Sequence, residues 1–120
     1  MTTYDYFQRA FRRGAQARAG TSGMLIQAAD GNCAIFWLDA AEGVIRGARY
    51  RCTTCVTLLA FCEHLSELAV GTRLEQALRI SSGHLLALHK DVPHYKADRA
   101  TLASEAFHSA VHQVTKGAPS

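Results

Sequence analysis

Residues 42–77 read EGVIRGARYRCTTCVTLLAFCEHLSELAVGTRLEQA and carry an extended segment directly into a long helix. Over residues 44–51, Val44, Ala48 and Tyr50 share one face while Arg49 and Arg51 point the other way, as in a strand with one side on a core. From Cys55 the period changes. Cys55, Leu58, Cys62, Leu65 and Ala69 make a stripe of helical spacing that runs to Val70, and Gly71 stops it. Thr53 or Thr54 is placed to cap this helix, and Thr72-Arg73-Leu74-Glu75 has the spacing of a capping box for a second helix ending near Ile80.

Upstream, Ala40-Ala41-Glu42-Gly43 is a hairpin-length turn, and residues 33–38 are apolar on both parities, as in a covered strand. Residues 24–27 make a short strand, and the Gly- and Ala-rich stretch 14–23 reads as a connector. Thr3 can cap a first helix over residues 4–13, with Tyr4, Phe7 and Phe11 as its apolar stripe. Downstream, Ser82 caps a short helix to Leu88, and Asp91-Val92-Pro93 breaks the chain. Asp98 opens a last helix striped with Leu102, Ala103, Ala106, Phe107, Ala110, Val111 and Val114. The order, one helix, three strands, then helices, is segregated α+β. It predicts a three-stranded antiparallel sheet with helices packed on one face. We expect one domain over residues 1–120, with a helix and linker in 1–20 and a frayed tail over 116–120.

Composition sets the broad class. Of 120 residues, 48% are hydrophobic and 19% charged, which excludes a disordered chain. No apolar run nears the ~20 residues that span a bilayer, and the first twenty residues lack the apolar centre of a secretory signal. The expectation is a cytoplasmic protein with no membrane partner, whose four cysteines are reduced thiols. The net charge is +3, with Arg9, Arg12, Arg13 and Arg18 near the start. No aromatic platform accompanies them, so a solvated helix face is expected rather than a nucleic-acid surface.

The chemistry concentrates at Cys52-Thr-Thr-Cys55, where strand becomes helix. Cys55 falls in the first turn, where free N–H groups and the helix dipole favour a thiolate. The pair reads either as a metal or persulfide site or as packed thiols, and the residues alone leave both open. Cys33, alternating with Ile35 and Trp37, and Cys62, on the helix stripe, read as core. His108 and His112 stand four apart but lack the spacing to the cysteines that a zinc finger uses. His64, His84, His89 and His94 have no interpretable spacing. A CxxC at a strand-to-helix junction is also a thioredoxin-like redox layout, but an antiparallel meander precedes it where that fold needs a βαβ unit.

Taken in order, Glu42-Gly43, Ala48-Arg49-Tyr50, Cys55 and Gly71-Thr72-Arg73-Leu74-Glu75-Gln76-Ala77 resemble the IscU/NifU N-terminal family of iron–sulfur cluster assembly scaffolds. Leu102-Ala103-Ser104-Glu105-Ala106 resembles the start of that family's last helix. Val92-Pro93-His94-Tyr95-Lys96 looks like a degraded form of its chaperone-recognition loop. The resemblance covers nearly the whole chain and implies three ligand cysteines and an aspartate. Here the first cysteine is lost, its Cys-Gly-Asp matching Ala28-Ala29-Asp30. Cys55 matches the second, and the third, in a His-Cys pair, falls on Asp98-Arg99. Arg99 puts a cation where a ligand belongs. The resemblance implies a non-enzymatic scaffold or carrier that binds iron, zinc or a cluster through Cys55 and Asp30, with Cys52 and Asp98 as further candidate ligands. Such a set holds an iron–sulfur cluster or a single iron or zinc ion weakly, or nothing in the isolated protein. The implied partners are a cysteine desulfurase or other assembly proteins, with a homo-oligomer left open. The competing expectations are a protein-binding module that has lost cluster chemistry, and a CxxC redox protein.

Overall fold

Helix α1 (Thr3–Arg13) precedes strands β1 (Thr21–Ser22), β2 (Ile26–Gln27), β3 (Cys33–Ala41) and β4 (Val44–Cys52) in a computed structural model that describes residues 2–13 and 20–117. Helices α2 (Val56–Ala69), α3 (Leu74–Ala77) and α4 (Ser82–Leu88) follow, then a 3₁₀ turn (His94–Lys96) and α5 (Asp98–Gly117). Most of the connector, the side chain of Phe11, and residues 118–120 of the expected tail lie outside the described residues. Residues 116 and 117, expected to fray, continue α5. Among the described residues no helix is long and apolar enough to cross a membrane.

The sheet is antiparallel throughout, with β3 at its centre. It has four strand segments rather than three. Because β4 pairs along residues 34–41 of β3, β1 and β2 share β3's other edge as one broken strand. The break is steric and polar. At Gly23 the chain presses on α5 so closely that a Cβ would stand 2.5 Å from the Ala110 nitrogen, and the Met24 N–H donates to Ser109 Oγ at 2.8 Å. Between β3 and β4 the chain turns on two residues, Glu42 (φ 56°) and Gly43 (φ 76°), both left-handed as a tight hairpin of this hand requires.

The register shifts between Asp39 and Ala40, which face Gly47 and Ile45, so Arg46 is an extra residue in β4. The bulge flips the parity beyond it. Ile45, not the expected Val44, joins Ala48 and Tyr50 on the core face. On β3 the buried residues are Ala34, Phe36 and Leu38. Cys33, Ile35 and Trp37, expected in the core, are on the opposite face and only half-buried, across from Arg51 and Arg49. An apolar run on both parities did not distinguish a strand covered on two sides from one covered on one.

The helices supply the other layer. α5 lies on β3 and α2 on β4, and the two helices also touch each other. Every residue of the expected α5 stripe is buried. Phe107 meets Phe36 edge-on, with ring centroids 5.6 Å apart. α1 packs on α2 with Tyr6 stacked on His64 and Ala10 buried, whereas Tyr4 is 56% exposed. The α3 capping box does not form. Thr72 Oγ1 donates to the Leu68 carbonyl, Glu75 pairs with Arg73, and the helix is one turn long. Ser81, not Ser82, caps α4 by accepting from the His84 N–H.

Candidate functional site

The end of β4, the start of α2, the turn after β2 and the start of α5 meet at one end of the sheet. Cys55 is the N-cap of α2, extended at φ −127°, ψ 125°, so it stands one residue outside the helix rather than in its first turn. Its carbonyl accepts the Leu59 N–H at 2.8 Å, and its side chain makes no capping bond. Thr53, expected as a cap, has another task. Its hydroxyl donates to Asn32 Oδ1 at 2.8 Å, and its N–H bonds the Cys33 carbonyl, tying the 28–32 turn to the helix start.

That turn carries Asp30. Ala28 N–H donates to the Asn32 carbonyl and Gly31 N–H to the Ala28 carbonyl, with Gly31 at φ 92°. Asp30 accepts from both the backbone and the side-chain amide of Asn32, each at 3.0 Å. The Asn32 backbone bond above all, then its side-chain amide and Arg99, hold the carboxyl below the usual carboxylate range.

Arg99 occupies the centre of the site. Its Nη1 donates to Asp98 Oδ1 at 2.7 Å, its Nη2 lies 3.6 Å from Asp30 Oδ2, and its side chain is 20% exposed. The Asp98 bond, and further contact with the Cys55 thiol, keep its pKa above the ordinary arginine value. Its Nε is buried with no hydrogen-bond partner. Asp30, Asp98 and Cys55 are therefore brought together, but around a guanidinium, which has five donors, no acceptor and a permanent charge. Among the described residues no three His, Cys, Asp or Glu side chains are placed to hold a metal ion. One thiol and two carboxylates already bonded to a cation do not match the soft thiolate set that iron–sulfur cargo needs.

Cys52 does not join this group. It shares the inward parity of Ala48 and Tyr50 and neighbours the thiol of Cys62, which is completely buried. Burial and that contact push the Cys62 thiol well up. Cys33, on the half-exposed sheet face, is not the core cysteine its alternation implied. Thiol labelling of the native protein should thus be slowest at Cys62 and faster at Cys33 and Cys55. Peptide mapping after a short alkylation pulse checks the order, and equal labelling of Cys62 and Cys55 would contradict the packing of α2.

His108 donates to or accepts nothing from His112. Its Nε2 bonds the Ile80 carbonyl at 2.7 Å. A second constellation, which no sequence spacing revealed, is the buried pair His64 and His89, whose ring nitrogens stand 2.6 Å apart.

Residues 10–118 match the family model of the NifU-like N-terminal domain. No curated protein matches the chain in sequence. Among solved structures, an N-terminal NifU-like nitrogen-fixation protein from Brucella abortus superposes with a TM-score of 0.70 at 16% identity, covering 97% of this chain and 93% of that one. A Fervidobacterium islandicum AW-1 protein assigned as a scaffold for SUF iron–sulfur cluster assembly superposes with a TM-score of 0.66 at 10% identity, covering 89% and 94%. At such identities the structures speak for the fold, and the match over nearly the whole sequence speaks for the family. With its α+β layers, its antiparallel sheet and that match, the chain belongs to the NifU-like N-terminal domain family of iron–sulfur cluster assembly scaffolds.

Proposed function

We propose that this chain serves iron–sulfur cluster assembly as a carrier of sulfur on Cys55, not as an enzyme and not as a scaffold that closes a metal site alone. One observation carries the reading: the Cys55 thiol lies against a guanidinium whose Nε–H is buried without a partner. A cation with a spare donor favours an anionic sulfur and disfavours a metal cation. The two carboxylates fix the guanidinium from its other nitrogens, so it need not reorganise when the sulfur becomes charged.

The donor is a protein persulfide, as on a cysteine desulfurase. The Cys55 thiolate attacks the outer sulfur of the donor persulfide, a new S–S bond forms on Cys55, and the donor leaves as its own thiolate. The transferred atom stays at the sulfane level, so no external oxidant or reductant is required. Arg99 stabilises the anion on Cys55 before and after the exchange.

The test is anaerobic incubation with a desulfurase and cysteine, followed by intact-mass and peptide analysis. We expect one added sulfur atom, on Cys55, in the wild-type chain and loss of most of that labelling in Arg99→Ala. Sulfur appearing on Cys33 instead, or stoichiometric iron with acid-labile sulfide held by the wild-type monomer, would overturn the reading.

A further inference from the structure

Helix α1 is held to the body by a chain of hydrogen bonds through two buried histidines. Thr3 Oγ1 donates to Asp91 Oδ1 at 2.6 Å, and the Thr3 N–H donates to Asp91 Oδ2 at 3.0 Å. With its only proton given to Asp91, the Thr3 hydroxyl must accept from His89 Nδ1, 2.9 Å away. Nδ1 of His89 therefore carries the proton, and Nε2 of the neutral ring is an acceptor. It follows that His64 Nδ1, 2.6 Å from that Nε2, carries a proton and donates it. Every proton in the series is assigned by the one before it, and the arrangement closes only if His89 is neutral, with an acceptor at Nε2.

Acid breaks the series at a known atom. A proton added to His89 goes to Nε2 and faces the N–H of His64 across 2.6 Å, two donors with no acceptor between them. A proton added to His64, which is 9% exposed and stacked on Tyr6 at 4.1 Å, places a cation beside the still more deeply buried His89. The surroundings give little relief. His84 from α4 and Arg9 from α1 add positive charge near His64. Phe61 of α2 sets its ring against His89, and Glu67 of the same helix is engaged with Arg9. Among the described residues Asp91 is the anion facing His89, and Thr3 already bonds both its oxygens.

We propose that His64 and His89 form an acid-released latch, which docks α1 on the body while both rings are neutral and lets it go when either is protonated. The direction of titration agrees. Burial holds both imidazoles below their ordinary value, His64 at about 4. A histidine depressed by docking binds its proton more readily once α1 has left. The latch is therefore at full strength above the free-histidine value of ~6.5 and weakens as pH falls from there toward about 4. Each proton taken up on release weakens docking by about tenfold per pH unit in that window. The partners of the latch on α1 are Thr3 and Tyr6, so the helix, not the sheet or α5, is what acid frees.

Hydrogen exchange of the full chain, read by mass spectrometry at pH 7 and pH 5 and corrected for intrinsic rates, tests this. We expect residues 3–13 to lose about tenfold or more in protection at pH 5 while the buried amides of α5 keep theirs. The His64→Asn, His89→Gln double variant retains amide groups near the same nitrogens but cannot titrate, and its α1 protection should be equal at the two pH values. If that variant does not fold, proton NMR titration of the wild-type imidazoles decides. Two rings titrating near 6.5 without any change in α1 would overturn the latch. So would equal α1 protection at both pH values, simultaneous loss in α1 and α5, or a folded double variant that still releases α1 in acid.

Discussion

Ala28→Cys combined with Arg99→Cys should turn the chain into one that holds about one zinc ion per molecule after purification, where the wild type holds far less. The two changes restore thiols at the positions that match the family's first and third ligand cysteines. The geometry supports both. Ala28 opens the tight turn that ends at Asn32 and contains Asp30, and Arg99 already reaches Asp30 and Cys55. Removing the guanidinium deletes the charge that repels a cation and frees the Asp30 carboxylate and the Cys55 thiol from their cationic neighbour. Two more thiolates then complete a tetrahedral set of types zinc accepts. Formed protein sites of this kind bind zinc with on the order of 10 kcal/mol, so the contrast in metal content should be large. Elemental analysis of both proteins, with thermal melting before and after a chelator, makes the measurement. A folded double variant that stays metal-free would show that Arg99 is not what keeps metal out. Arg99→Cys alone should bind more weakly, because three donors leave one position to water.

Phe107→Ala should cost about 3–5 kcal/mol of unfolding free energy, a large share of the ~5–15 kcal/mol that a domain of this size commands. Phe107 is fully buried where α5 crosses β3, and its ring stands edge-on to Phe36. Truncation removes the transfer free energy of the ring and leaves a cavity between sheet and helix. The layer cannot collapse into that space, because Gly23 already holds the chain before β2 against the α5 backbone at Ala110. Urea unfolding should show a lower midpoint at unchanged slope, with a melting temperature lower by roughly 10–20 °C. A loss below ~1 kcal/mol would mean that α5 is not the central helix of the core.

The two sites differ in how far they could be read along the chain. Arg99 stood out as a cation at a ligand position, because the match to a known spacing supplied the expectation that it broke. That its guanidinium gathers Asp30, Asp98 and Cys55, while Cys52 turns inward to Cys62, depends on side-chain directions that no spacing contains. His64 and His89 gave no signal. They are 25 residues apart, one on α2 and one at the end of α4, and the residue that orders them, Thr3, lies 86 positions from His89.

Periodic signals carried the architecture. The α5 stripe, the Gly71 stop, the hairpin before β4 and the segregated α+β order were all readable, because each rests on local backbone geometry and on one face meeting apolar neighbours. Signals that competed for the same residues were resolved only by packing. Thr53 serves the 28–32 turn instead of capping α2, Thr72 bonds back to Leu68, and α1 docks by Thr3 and Tyr6 rather than by Tyr4. The bulge at Arg46 is of the same kind. One extra residue exchanges Val44 for Ile45 on the core face, and nothing in the alternation of residues 44–51 marks where it must fall. Local sequence names the candidates for a strand face, a cap or a docking stripe. Which candidate is used depends on what arrives from elsewhere in the chain to satisfy its hydrogen bonds and cover its apolar surface, and only the folded structure decides that.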